Sequence, residues 1–192
     1  MTTRTLRSDD PELAVLLDAG ARVVTESWGA RLHRDDLNPA RLTALVARVT
    51  GQGIAVGELT VTDLPRVLDL HRATRADYPE GPATPRPDLD RNSAVALFGE
   101  GRVFGASDGE ALVAMTAVER LSDRVETAFT AVRAPHRGRG IATAVKAASV
   151  LALAAEGAEL FGTGGAGDNA ASLGMNRAVG YAVTERWVTV RP

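Results

Sequence analysis

The stretch AVRAPHRGRGIATAVKAASV (131–150) decides how this chain is read. It is an apolar strand, a short loop dense in glycine and arginine, and then a helix. Gly138 and Gly140 leave the backbone bare at the turn, while Arg137 and Arg139 bring positive charge. A helix N-terminus adds unpaired N–H groups and the favourable end of a dipole. Together these make a cradle for a pyrophosphate group. The plainer alternative is an ordinary strand-to-helix turn with solvated arginines.

Outward from this segment, the spacing predicts strand RVETAFTAV (124–132) before the loop and a helix over 139–156 after it, with Ile141, Val145, Ala148 and Ala152 on one face. Upstream, RVFGASDG and EALVAMTAVERL read as strands joined at Asp108-Gly109, a strong hairpin signal. GIAVGELTV (53–61) alternates like a strand, and Leu64, Val67, Leu68 and His71 repeat at helical spacing to about Asp77. YPEGPATPRP (78–87) has too many prolines for a helix or a central strand, and a weak helix covers 89–98. Downstream, AELF (158–161) is a short strand, a glycine-rich loop leads to helix 169–179, and YAVTERWVTV (181–190) closes as a strand. The expected fold is α/β: a mixed, mostly antiparallel central sheet of six or seven strands with helices on both faces.

Residues 1–52 read separately from 53–192, as an N-terminal extension with a helix near 10–18, a strand at 22–32 and a helix at 39–49. VTESW (24–28) echoes VTERW (183–187), each after a helix that ends near a glycine, Gly20 or Gly180. Either two amphipathic strands coincide, or 1–52 is the remnant of a duplicated domain. The second reading requires strand 22–32 to occupy a place like that of 181–190.

Composition narrows the function. Twenty-two basic against 24 acidic residues, a net charge of -2, give no general basic excess for a nucleic acid. The absence of cysteine removes disulfides, thiolate metal sites and a cysteine nucleophile. Three histidines, at 33, 71 and 136, make a histidine-rich metal site a poor expectation. The first residues have no signal-peptide core and the longest small-apolar run is too short to cross a bilayer, so no membrane partner and a cytoplasmic location are expected. GTGGAG (162–167) fits the dinucleotide-binding pattern, but only 25 residues follow Gly167 and that fold needs further strand–helix units. Neither glycine loop continues into the Gly-Lys-Ser/Thr of a P-loop.

Two segments carry a family resemblance. AVRAPHRGRGIATAVK resembles the acetyl-CoA-binding motif of the Gcn5-related N-acetyltransferase (GNAT) superfamily, Arg/Gln-x-x-Gly-x-Gly/Ala, met by Arg137, Gly140 and Ala142. DNAASLGMNRAVGYAV (168–183) resembles its later signature through Asn169, Asn176 and Gly180-Tyr181. The likeness covers about 53–192 and implies an N-acetyltransferase that moves an acetyl group from acetyl-CoA to a primary amine, in a small molecule or a peptide, by direct attack in a ternary complex. It assigns the pantetheine arm to the backbone of Thr130, Ala131 and Val132, and the pyrophosphate to Gly138, Arg139, Gly140, Ile141, Ala142 and Thr143, with Arg137 beside them. Asn169 either bonds the cofactor or caps its helix. Glu126 is the candidate base. It lies six residues before Val132, roughly 20 Å along a strand and comparable to a pantetheine arm, and period two would give it a face with Ala128 and Thr130. The family's tyrosine acid is replaced here by Asn176. A non-catalytic acyl-CoA-binding or sensing module is therefore the second reading. Tyr181 reads as core packing, Tyr78 as a loop anchor, His71 as a packed histidine and His136 as orienting the phosphate loop. Lys146 reads either as a phosphate neighbour or as solvated. An N-terminal strand also invites pairing between chains, so a homodimer is one expected assembly.

Overall fold

The computed structural model describes residues 3–77 and 88–192. The proline-rich stretch 78–87, with Tyr78, lies outside them. Fourteen main elements alternate along the described chain: β1 (Arg4–Arg7), α1 (Pro11–Asp18), β2 (Arg22–His33), α2 (Pro39–Thr50), β3 (Ala55–Glu58), α3 (Leu64–Thr74), α4 (Arg91–Gly99), β4 (Gly101–Asp108), β5 (Ala111–Arg120), β6 (Val125–Val132), α5 (Ile141–Ala155), β7 (Leu160–Ala166), α6 (Ala170–Val179) and β8 (Ala182–Arg191). Local chemistry sets several helix starts. Asp10 and Asn38 cap α1 and α2 ahead of Pro11 and Pro39, and Asp90 with Ser93 forms a capping box on α4. The hairpin turns at Gly109, whose φ of 56° suits glycine.

All eight strands form one sheet in the order β1-β8-β2-β7-β6-β5-β4-β3, antiparallel except where β6 meets β7. The mixed, mostly antiparallel sheet is as the sequence implied, with two differences in its strands. The four-residue edge strand β1 has too short a pattern to read. β7 does not stop at Phe161 but runs through the glycines to Ala166. These glycines stand where a side chain has no room: a Cβ on Gly162 would collide with the Glu126 carboxylate, and one on Gly165 would lie 2.6 Å from the Trp28 ring. With GTGGAG in an extended strand, the dinucleotide turn is not formed.

Helices cover both faces. On one, α2, α5 and α6 contribute Leu42, Val49, Ile141, Val145, Val150, Leu153 and Val179 to a core with Trp28, Phe104, Val118, Val125 and Phe161. On the other, Val67 and Leu70 of α3 pack with Val103, Met115, Ala117, Phe129 and Ala131, flanked by Leu97 and Phe98 of α4. Burying these apolar faces is the main favourable term in the fold.

The N-terminal segment is woven into the sheet, because β2 lies between β7 and β8 and pairs with both. The unit β1-α1-β2 matches the unit β7-α6-β8, since β1 pairs with β8 just as β7 pairs with β2. The register carries the relation to single residues. Ser27 faces Trp187 while Trp28 faces Arg186, and Glu26 faces Val188 while Gly29 faces Glu185. With VTESW laid on VTERW, each pair is the image of the other about a two-fold axis between β2 and β8.

Candidate active site

The site begins where two strands part. β6 and β7 run parallel for only two residue pairs, Val125 with Phe161 and Glu126 with Gly162. Beyond them the strands splay, and a cleft of about 550 Å³ opens between Thr127–Val132 on one side and Thr163–Ala166 on the other. A bulge shapes the β6 wall: Ala117 faces Phe129 and Val118 faces Thr127, which leaves Ala128 as the extra residue. The bulge breaks the two-residue alternation. Val125 and Val132 face the α5 core, whereas Phe129 and Ala131 face the α3 core. Glu126 therefore shares its face with Phe129 and Ala131 rather than with Ala128 and Thr130.

The open end of the cleft is the arginine–glycine loop. Gly140 caps α5 with φ 79°, and no side chain bonds the helix's first amides. A left-handed residue here favours glycine, and the uncapped N–H groups are free to meet an anion. The loop is braced on several sides. Arg137 pairs with Asp77 and donates to the Val132 carbonyl at 3.1 Å. Arg139 donates to Gln52 Oε1 at 3.3 Å, and the Arg48 guanidinium packs so closely on Gly140 that a Cβ there would collide with it. Gln52 and Arg48 come from the first 52 residues, and no local sequence pattern marks them. His136 reaches Asp108 at 3.2 Å and ties the loop to the β4–β5 turn.

The closed end holds the charged groups. Glu126 approaches from the α3 side, its carboxylate accepting from Arg124 Nε at 2.8 Å with about a quarter of each side chain exposed. From the α5 side comes Lys146, only 1% exposed, which lines the cleft and donates to Thr163 Oγ1 at 2.9 Å. Thr163 is the first residue of β7 beyond the paired step. The ammonium stands 4.7 Å from the centroid of the Tyr181 ring, within cation–π range. Burial lowers the Lys146 pKa to about 7, against the opposing pull of the Glu126 charge. Burial likewise raises that of Tyr181, whose hydroxyl shares a hydrogen bond with Thr127. Asn176 is buried in the same cleft and donates to the Ser172 carbonyl at 2.9 Å, and its Oδ1 has no hydrogen-bond partner among the described residues.

Of the residues singled out in the sequence, Thr130, Ala131, Val132, Arg137, Gly138, Gly140, Ile141, Ala142, Thr143 and Asn169 line this one cleft, while Glu126 and Arg139 border it without lining it. Asn169 caps α6 by accepting from the Ser172 amide at 3.0 Å. Tyr181 packs in the core and His71 is buried on α3. Lys146 is not solvated but buried, one turn along α5 from the arginine–glycine loop and bonded to Thr163. A signal for it was present, since it is the one charged residue in IATAVKAASVLALAA, and a helix apolar on every side is a buried helix.

Comparison with known proteins agrees with this geometry. The family model for the acetyltransferase (GNAT) family matches residues 64–181. None of the curated proteins matches the chain in sequence. Among solved structures, a GCN5-related N-acetyltransferase from Sphaerobacter thermophilus superposes with a TM-score of 0.75 at 16% identity, covering 99% of this chain and 58% of its own. A tandem GNAT protein from the clavulanic acid biosynthesis pathway gives 0.64 at 19% identity, covering 98% and 62%. The ribosomal-protein-S18-alanine N-acetyltransferase from Escherichia coli gives 0.56 at 14% identity, covering 71% and 91%. The chain thus spans about three fifths of the first two, and at these identities the likeness is one of fold. With the family model spanning the cleft from α3 to Tyr181, the chain belongs to the acetyltransferase (GNAT) family.

Proposed function

We propose that the protein transfers an acetyl group from acetyl-CoA to a primary amine by direct attack in a ternary complex. The observation that carries this reading is the splayed cleft itself, with an uncapped helix N-terminus at its open end and a carboxylate at its closed end. The residues present fit coenzyme A. The amides from Gly138 to Thr143 meet the pyrophosphate, with Arg137 and Arg139 beside them and Asn169 across the cleft. The backbone of Thr130, Ala131 and Val132 along the cleft bonds the pantetheine arm. Glu126 removes the proton that the amine must lose. An N–H of the bulged strand near Ala128 is placed to steady the oxygen of the attacked carbonyl. With no cysteine in the sequence, the acyl group passes straight to the amine.

The duplication echo belongs to the same reading. We infer that β1-α1-β2 derives from a copy of β7-α6-β8, because the pairing of Glu26–Gly29 with Glu185–Val188 relates the two units residue by residue.

Two measurements test the activity. Calorimetry with CoA gives a binding heat for the wild type, and Gly140→Asp weakens that affinity at least tenfold, about 1.4 kcal/mol. The new side chain meets the Arg48 guanidinium and sets a carboxylate where the phosphates belong. A thiol-release assay with acetyl-CoA across amino acids, peptides and polyamines then gives turnover with at least one amine. Binding with no turnover on any amine would favour the sensing module, and unaltered affinity in Gly140→Asp would remove the cradle.

A further inference from the structure

We propose that Lys146 is the general acid of this site, delivering a proton to the coenzyme A sulfur as it leaves. This rests on the acyl-transfer reading above and names the group that Asn176 cannot supply. Three observations place the role. The ammonium lines the cleft and is bonded to Thr163, the first residue past the step where β6 and β7 part, so it sits at the closed end. A ligand whose phosphates rest at the α5 N-terminus and whose arm follows β6 brings its thioester to that end. Among the described residues, no carboxylate lies within ion-pairing distance of Lys146, and its one hydrogen bond to a side chain leaves further N–H groups available.

The step balances. The amine nitrogen attacks the thioester carbonyl carbon and its proton passes to Glu126. As the C–S bond breaks, the electron pair goes to sulfur, which takes a proton from the Lys146 ammonium. The products are the amide, the free thiol, a protonated carboxyl and a neutral lysine, and solvent resets the last two. Glu126 and Lys146 reach the closed end from opposite faces of the sheet, so the base and the acid do not compete for one position.

The charges around Lys146 are few. The Glu126 charge on β6 acts on it from the opposite face of the sheet, the Tyr181 ring lies beneath it just before β8, and β7 and α6 offer the neutral Thr163 and Asn176. A lysine titrating at about 7 in such surroundings is well matched to giving up a proton near neutral pH.

The test reads the thiol of bound CoA by its thiolate absorbance across pH, with desulfo-CoA as the blank. Because Lys146 itself releases its proton at about 7, lysine and thiol titrate as a coupled pair. With about three units of mutual stabilisation, part of the bound thiol ionises from about pH 7, far below free CoA. In Lys146→Met, CoA still binds within a few-fold, the thiol titrates as it does in solution, and turnover falls about a hundredfold or more. If bound CoA on the wild type titrates as free CoA, the proposal is overturned whether or not the variant folds. It is also overturned if Lys146→Met leaves the bound thiol's titration unchanged. Failure of CoA to bind the wild type overturns the acyl-transfer reading and this proposal together.

Discussion

Glu126→Gln lowers kcat for acetyl transfer by about a hundredfold or more, while CoA affinity stays within about twofold of the wild type. The substitution keeps size and shape, so it leaves room against Gly162, where even a methyl group would collide with this side chain. On the proposed mechanism it removes only the proton acceptor, a loss worth about 10²- to 10⁴-fold in reactions that need one. The pair with Arg124 is part exposed, and such pairs contribute at most about 1 kcal/mol. Stability therefore changes little, and initial rates of thiol release beside calorimetry separate chemistry from binding. Unchanged turnover would take Glu126 out of the reaction, whatever became of the cradle.

The second large effect concerns stability. Lys146 titrates at about 7 in the folded protein and near 10.5 when unfolded. Between those values the unfolded chain holds a proton that the folded chain has released, so wild-type stability rises with pH across this window. Below pH 7 both states are charged and the full cost of burial applies. That cost is on the order of 5 kcal/mol for the separation of the two values, a large share of a typical domain's stability. Lys146→Met removes it. Urea unfolding without ligand is therefore expected to find the variant more stable than the wild type at pH 7, with the difference shrinking toward pH 10. A difference that does not change with pH would mean that the lysine is not held in a desolvated site.

Much of this site lay in short-range pattern. The loop and helix from Arg137 to Thr143, the turn at Asp108-Gly109 and the cap at Asn169 follow from neighbours within a few residues, and the structure has each in place. What could not be read depends on partners far along the chain. The glycines of β7 look like a loop until Trp28 and Glu126 occupy the space their missing side chains leave. The bulge at Ala128 is set by pairing with β5, and one extra residue moves Glu126 to the other face from Thr130. The all-round apolar composition of α5 signals that Lys146 is buried, but not that α2, α6 and the sheet are what close on it or that Thr163 is its partner.

The place of β2 between β7 and β8 has a consequence for synthesis on the ribosome. Trp28 donates its indole N–H to the carbonyl of Ala166, 138 residues later, so β2 stays without its β7 and β8 neighbours until those residues have been translated. At ordinary elongation rates of about 5–20 residues per second, that wait is roughly 7–28 s. During it Val23, Val24 and Trp28 form part of an unpaired strand, open to a neighbouring nascent copy. The far wall of the cleft therefore closes only when β7 and β8 reach β2.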